Sequence, residues 1–136
     1  MSDPASLILS VANYLWHMRD QLNRARRDRR DRIAEYFASL SDCLGAVASS
    51  LREGDIPHGR CAEMEVYASK LPDTIGDVVG REEAADQARA LAEAHNVEWL
   101  VADLGPDEPE RETRLADIER AAGIFTALAT TMRASR

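Results

Sequence analysis

The amino-acid sequence predicts an all-α protein, an antiparallel bundle of about four main helices with an overlong N-terminal helix. The composition favours helices over sheets, because aromatic residues make up only 5% of the chain and helix breakers are scarce, with 7 Gly and 5 Pro. Apolar residues make up 45% of the chain, and in four segments they recur with the 3.6-residue period of an amphipathic helix. A chain of 136 residues fits one helical domain, residues 1–136.

The first predicted helix runs from about residue 5 to about residue 52. No Gly or Pro lies between Ala5 and Leu44, so nothing local ends the helix. Its apolar residues keep one phase across the arginine-rich stretch "RARRDRRDR" at residues 24–32. The stripe comprises Ile8, Val11, Leu15, Met18, Leu22, Ala25, Ile33, Phe37, Leu40, Leu44, Val47 and Leu51.

A continuous helix of this length would extend about 70 Å, which exceeds the diameter of so small a domain. Residues 5–28 would then protrude or contact a partner, and residues 29–136 would form the bundle. The early part of the stripe alternates spacings of three and four, as a short coiled coil does. A break near Asn23 to Asp28, which would give a helical hairpin, is the alternative that the sequence leaves open.

Three shorter helices are predicted to follow. The first helix should end at "REGDIPHG", where Gly54 can take a left-handed conformation and Pro57 prevents continuation. A short second helix covers "RCAEMEVYASKL", and "LPDTIGDVVG" is predicted to be a turn or a single helical turn. A third helix runs from about Arg81 to Asp103. The fourth follows "GPDEPERE", and its apolar stripe comprises Leu115, Ile118, Ala122, Phe125, Ala129 and Met132.

Charge is distributed unevenly along the chain, whose formal net charge is −7. Residues 1–60 carry nine Arg against eight acidic residues, whereas residues 61–136 carry eight basic against sixteen acidic residues. Opposite charges on the two halves can attract one another within a chain or between chains. The acidic half disfavours nucleic acid as a partner, because phosphate contacts need a coherent positive surface.

Most arginines of residues 24–32 are expected to be solvated. Two aspartates blunt the charge of the stretch, since Arg24 and Asp28, like Arg27 and Asp31, have the spacing of neighbours on a helix surface. Arg26 and Arg29 differ because they share the phase of the apolar stripe. We expect them to face whatever the stripe faces, and the acidic "DEPERE" segment is a candidate partner in the same chain or in another.

The N-terminal stripe is the predicted interaction site. Its apolar side chains would supply contact energy, and the two in-phase arginines would set register or partner choice. A homo-oligomer or a protein partner is therefore expected. The predicted interaction residues are Ile8, Val11, Leu15, Trp16, Met18, Leu22, Arg26 and Arg29.

No catalytic or cofactor-binding residues are predicted, and no cofactor is expected. The sequence contains no phosphate-binding glycine loop, no Gly-x-Ser-x-Gly elbow and no Glu-x-x-His pair. The weak candidates for a metal site are His58, Cys61, Cys43 and His95, which would have to converge to bind zinc. Buried thiols and a hydrogen-bonded core histidine are the simpler interpretation.

The segment "LILSVANYLWHM" is apolar but too short to span a bilayer, and it lacks the features of a signal peptide. The two cysteines cannot form the disulfide framework of a secreted mini-protein. A cytoplasmic location is therefore expected. Tyr14 and Trp16, with the arginines behind them, leave an amphipathic membrane-interface anchor as an alternative function that is not favoured.

Residues 29–104 resemble a small all-helical bacterial module found in uncharacterised proteins. The stretches "PHGRC" and "LPDTIGD" carry this resemblance most clearly. That module is similar to the death-domain-like and effector-associated adaptor modules of bacterial conflict systems. The resemblance implies a non-enzymatic adaptor in a defence or signalling system, which acts by self-association or by recruiting a partner, and it transfers no functional residue.

Overall fold

The structure, a computed structural model, describes residues 3–94, 104–105 and 107–134. These residues form six α-helices and no β-strand, so the all-α prediction is confirmed. All six helices contribute apolar side chains to one buried core. The helices are α1 (Pro4–His17), α2 (Arg19–Asn23), α3 (Arg27–Arg52), α4 (His58–Val79), α5 (Arg81–Glu93) and α6 (Pro109–Ala134).

The prediction of one continuous helix over residues 5–52 is wrong, and the alternative break near Asn23 to Asp28 is present. The helix first tightens at Met18, whose amide donates to the carbonyls of both Tyr14 and Leu15, and it ends at Asn23. At Arg26 the backbone is extended, with φ −57° and ψ 151°, before α3 begins. The chain therefore turns within the arginine-rich stretch, although no Gly or Pro lies there.

Burial explains why the helix breaks. Ile8, Val11, Leu15 and Leu22 have no solvent exposure, whereas a straight helix would leave them in water. Each such side chain contributes roughly 1.5–3 kcal/mol when it is fully buried, and a backbone hydrogen bond contributes about 1 kcal/mol. Four buried side chains thus outweigh the few helical hydrogen bonds lost at the break. Residues 5–28 do not protrude, because the apolar side chains of α1 and α2 pack into the core of their own chain.

The helices form a closed ring in the order α1, α6, α3, α4, α5. Helix α3 runs antiparallel to α6, because Arg52 contacts Glu112 near the start of α6 and Phe37 contacts Phe125 further along it. Helices α3 and α4 are likewise antiparallel, as are α4 and α5.

Helices α1 and α6 run parallel to one another. Asp3 lies beside Pro109 and Glu110 at the start of α6, and Trp16 lies beside Ile124, far along the same helix. The predicted antiparallel bundle is therefore wrong for this pair of helices.

Helix α4 is longer than predicted, because "LPDTIGDVVG" continues the helix to Val79 instead of forming a turn. Pro72 lies inside the helix, which costs about 3 kcal/mol through a lost hydrogen bond and a clash. The buried face of α4 continues past the proline with Leu71, Ile75 and Val79, and this burial offsets that cost. Gly80 follows the last residue of α4 and caps it, and its φ of +102° suits glycine.

The C-terminal end of α3 and the start of α4 agree with the sequence-based prediction. Helix α3 ends at Arg52, Gly54 has a φ of +87°, and α4 begins directly after Pro57. The predicted third helix begins at Arg81 as expected and is described to Glu93, and residues 95–103 lie outside the described part. In α6 the buried stripe matches the prediction with two differences: Ala121 is buried in place of Ala122, and Leu128 is buried in addition.

The two ends of the bundle carry different groups. One end holds the last turn of α1, all of α2, the first turn of α3 and the junction of α4 with α5. We name residues 24–32, which lie there, the arginine elbow. The opposite end holds the first turns of α1, α4 and α6 and the last turn of α3. We name residues 107–110, which lie at that opposite end, the acidic end segment.

Candidate interaction surfaces

The apolar residues predicted as an interaction site form core instead. Ile8, Val11, Leu15 and Leu22 are fully buried against other helices of the same chain. A partner could reach them only if α1 unfolded from α5 and α6. The prediction that they form a docking surface is therefore wrong, and the reason is the chain reversal at the arginine elbow.

Trp16, which lies beside the apolar stripe, is partly exposed on the outer side of α1. It lines a surface groove of about 540 Å³ between α1 and α6. The groove runs over Gly123, where a side chain would meet no atom within 4 Å. It is lined by Asn13, Trp16, Arg120, Gly123, Ile124 and Ala127.

Arg19 fixes the position of Trp16. Its guanidinium carbon lies 4.7 Å from the centroid of the indole ring, within the range of a cation–π contact. The same guanidinium donates a hydrogen bond of 2.9 Å to the Trp16 carbonyl. The indole ring is therefore held at the groove by a cation, and a second cation, Arg120, lies along the groove wall. Met18 is also partly exposed but does not line the groove.

Arg29 acts within the chain as a link between α3 and α4. Its guanidinium donates to both carboxylate oxygens of Asp77, at 3.2 and 2.5 Å, and to the Thr74 carbonyl at 2.7 Å. These hydrogen bonds hold the pKa of Asp77 below its usual range. Arg29 thus links α3 to α4, and its guanidinium is engaged within the chain.

Arg26 and Arg24 remain exposed at the arginine elbow. Both line a surface pocket of about 320 Å³, whose apolar part is formed by Ala25 and Val78. The predicted pairing of Arg24 with Asp28 is absent, because Arg24 precedes the break and Asp28 lies in α3. Asp28 instead contacts Arg32 at 3.5 Å.

The acidic "DEPERE" segment does not contact Arg26 or Arg29 within the chain. Its Glu112 binds Arg52 at 2.9 Å, and the same guanidinium binds Glu119 at 2.5 Å. Arg52 lowers the pKa of both glutamates through these hydrogen bonds. The predicted contact of Arg26 and Arg29 with this segment in the same chain is wrong, because the elbow and the segment lie at opposite ends of the bundle.

The proposed metal ligands are distributed differently from a closed zinc site. Cys43 is buried and its thiol donates to the Arg60 carbonyl at 3.3 Å. Cys61 is buried in α4, whereas His58 lies exposed at the start of that helix. In the part of the chain that the structure describes, no three His, Cys, Asp or Glu residues are grouped so that they could hold a metal ion. His95 lies outside the described residues.

Burial is also the main cause of two high pKa values near these thiols. The pKa of Cys43 is raised to about 11, with a smaller effect from Glu63. The pKa of Tyr36 is raised far above its usual range by burial, and its hydroxyl donates to the Tyr67 carbonyl at 2.5 Å. A thiol held in its protonated form is a poor nucleophile.

Sequence reasoning found Trp16 but missed the α6 side of the groove. Gly123, Ile124 and Ala127 lie off the apolar stripe of α6, and nothing in the sequence shows that α1 packs parallel beside them. A large aromatic residue outside a buried stripe, such as Trp16, is the signal that the sequence does provide.

Within residues 3–94, 104–105 and 107–134, no helix combines the length and the apolar character needed to cross a bilayer. The chain matches no family model, no curated protein and no solved structure.

Proposed function

We propose that the chain is a non-enzymatic protein–protein interaction module that docks a partner through the outer face of its N-terminal helix. One observation carries this proposal, the groove between α1 and α6 in which Trp16 lies partly exposed, with Arg19 stacked on its ring and Arg120 also lining the groove. Tryptophan and arginine are the residue types that dominate the energetics of protein interfaces. The proposed interaction face lies on α1, the helix that the sequence also indicated. It is the side of α1 that faces away from the core.

The groove fits an amphipathic helix with an apolar anchor and at least one acidic residue. Ile124 and Ala127 offer apolar contact, and Gly123 leaves room for a side chain of the partner. None of the six lining residues is acidic, whereas Arg120 lines the groove and Arg19 stacks on Trp16. A carboxylate on the partner would therefore meet Arg120 in the groove and Arg19 beside Trp16, and no acidic lining residue.

The resemblance of residues 29–104 to adaptor modules supports the same proposal. In that interpretation the protein acts in the cytoplasm as an adaptor of a bacterial defence or signalling system, and it recruits its partner without a cofactor. The membrane-anchor alternative has less support, because the aliphatic side chains of the α1 stripe, Ile8, Val11 and Leu15, are core residues, although Tyr14 and Trp16 are partly exposed.

The proposal is tested by selecting displayed 16-residue helical peptides with randomised apolar and acidic positions against the folded protein. Gly123→Leu fills the groove, and Gly45→Leu is the matched control, because both glycines lie in helices and have open space around them. We expect acidic amphipathic peptides that bind the native chain and the Gly45→Leu variant but bind Gly123→Leu at least tenfold more weakly. Peptides that bind all three proteins equally, or no enrichment at all, would overturn the proposal.

A further inference from the structure

The arginine elbow and the acidic end segment are exposed surfaces of opposite charge at opposite ends of the same bundle. At the elbow, Arg24 and Arg26 make no ion pair with any residue that the structure describes. At the other end, Asp107 and Glu108 are exposed beside Glu110, which contacts only Arg114 among the described ion pairs. Among the described residues, the side chains of Arg24, Arg26, Asp107 and Glu108 form no ion pair.

The arrangement of these charges depends on contacts inside the chain. Arg29 is held by Asp77, whereas Arg24 and Arg26 are exposed to solvent. Arg30 donates to the Asn23 carbonyl at 3.2 Å and closes the turn before α3. At the acidic end, Arg52 neutralises Glu112 and Arg111 donates to the carbonyls of Leu51 and Leu104.

We propose that the chain self-associates head to tail, with the arginine elbow of one copy against the acidic end segment of the next. This inference rests on the proposed function as an interaction module, and it names a second copy of the chain as a partner. The two surfaces differ and lie at opposite ends, so the contact is heterologous, and a pair of copies keeps one free arginine elbow and one free acidic end segment. Such a contact continues beyond a dimer, to a ring or an open chain.

A second copy suits the elbow better than nucleic acid does. The elbow pocket has an apolar part formed by Ala25 and Val78, which a phosphate backbone would leave unused. The positive charge of this surface is reduced by three aspartates that lie there, Asp28, Asp31 and Asp77. The few carboxylates of an acidic end segment are therefore enough to balance it. The end of a helical bundle offers less area than the roughly 800 Å² per partner of a standard interface, so the association is weak and depends on concentration.

The test is the solution mass of the full chain, measured by sedimentation equilibrium over a range of concentrations at low ionic strength. The elbow variant is Arg24→Gln with Arg26→Gln, and the acidic-end variant is Asp107→Asn with Glu108→Gln. The control for the elbow variant is Lys70→Gln with Arg89→Gln, which makes the same charge change on exposed residues of α4 and α5. All of these substitutions are at exposed positions, and circular dichroism verifies that each variant is folded.

We expect the native chain and the control to pass beyond the mass of a dimer as concentration rises, and each variant alone to stay monomeric. An equimolar mixture of the two variants should form a dimer and nothing larger, because only one functional pair of surfaces remains. A monomeric native chain, a native chain that stops at a dimer, a mixture that does not associate, or a control that behaves like the elbow variant would each overturn the inference. Groove docking would stand in all of these cases, because Gly123→Leu tests it separately and leaves both ends of the bundle intact.

Discussion

Replacement of Leu15 by Ala tests whether α1 belongs to the core of its own chain. Leu15 has no exposed surface, and the substitution removes three buried carbon atoms. At about 0.8 kcal/mol per buried carbon, with an added cost for the cavity, we expect the free energy of unfolding to fall by about 3 kcal/mol. For a domain of this size, that loss lowers the melting temperature by roughly 10 °C.

The assay is urea unfolding followed by far-ultraviolet circular dichroism, at two protein concentrations that differ tenfold. Leu9→Ala is the matched control, because Leu9 lies in the same helix and is only partly buried. We expect it to cost less than about 1 kcal/mol. Equal effects of the two substitutions, or a loss at Leu15 that changes with protein concentration, would show that α1 is not buried within a single chain.

Three further outcomes are expected. Cys43 should not react with a thiol reagent at pH 8 until urea unfolds the chain, because it is buried and its pKa is raised to about 11; rapid labelling of the native protein would contradict this. Arg52 lowers the pKa of Glu112 and Glu119 in the folded state, so the stability they contribute is present above pH 4.5 and is lost as pH falls through their lowered pKa values. Acid unfolding of Arg52→Gln should therefore show a weaker pH dependence than the native chain, and an unchanged dependence would refute the role of Arg52. Gly45→Ala should raise the free energy of unfolding by about 0.5–1 kcal/mol, because the added methyl group meets no neighbour and the helix gains propensity; a decrease measured by urea unfolding would contradict it.

The helical class of the fold follows from the sequence because periodicity and composition are local properties. The stripe of α3 and most of the stripe of α6 agree with the buried residues. The end of α3 also agrees, since Gly54 and Pro57 act through their own backbone geometry. These features need no knowledge of what each helix packs against.

The break in the first helix could not be predicted in the same way, because no residue at the turn disfavours a helix strongly. One long helix requires that its apolar residues keep the same helical phase throughout. Two separate helices that each bury one apolar stripe can show the same phase. The choice depends on where Leu22 and the residues before it find apolar neighbours, and that is a property of the whole chain. Burial of apolar side chains also overrides the local preference in α4. There it keeps the helix intact through Pro72, a residue that by itself favours a break.

The candidate surfaces depend on tertiary structure even more strongly. In the sequence, Trp16 is a large aromatic residue outside the apolar stripe, and Arg26 is a charged residue in phase with it. Whether they are available to a partner depends on the parallel packing of α1 on α6 and on the ion pair between Arg29 and Asp77. Both contacts join residues far apart in the chain, and neither leaves a local pattern.

The parallel pairing of α1 with α6 also has a consequence for how the chain acquires its structure. Helix α1 is synthesised before α6 and packs mainly on it, so the apolar face of α1 must wait until α6 has been synthesised. Loop closure between such distant segments is slow relative to contacts between neighbouring helices. During that interval Ile8, Val11 and Leu15 remain accessible to other proteins, and the same residues that stabilise the finished bundle are the ones through which a nascent chain would engage chaperones or aggregate.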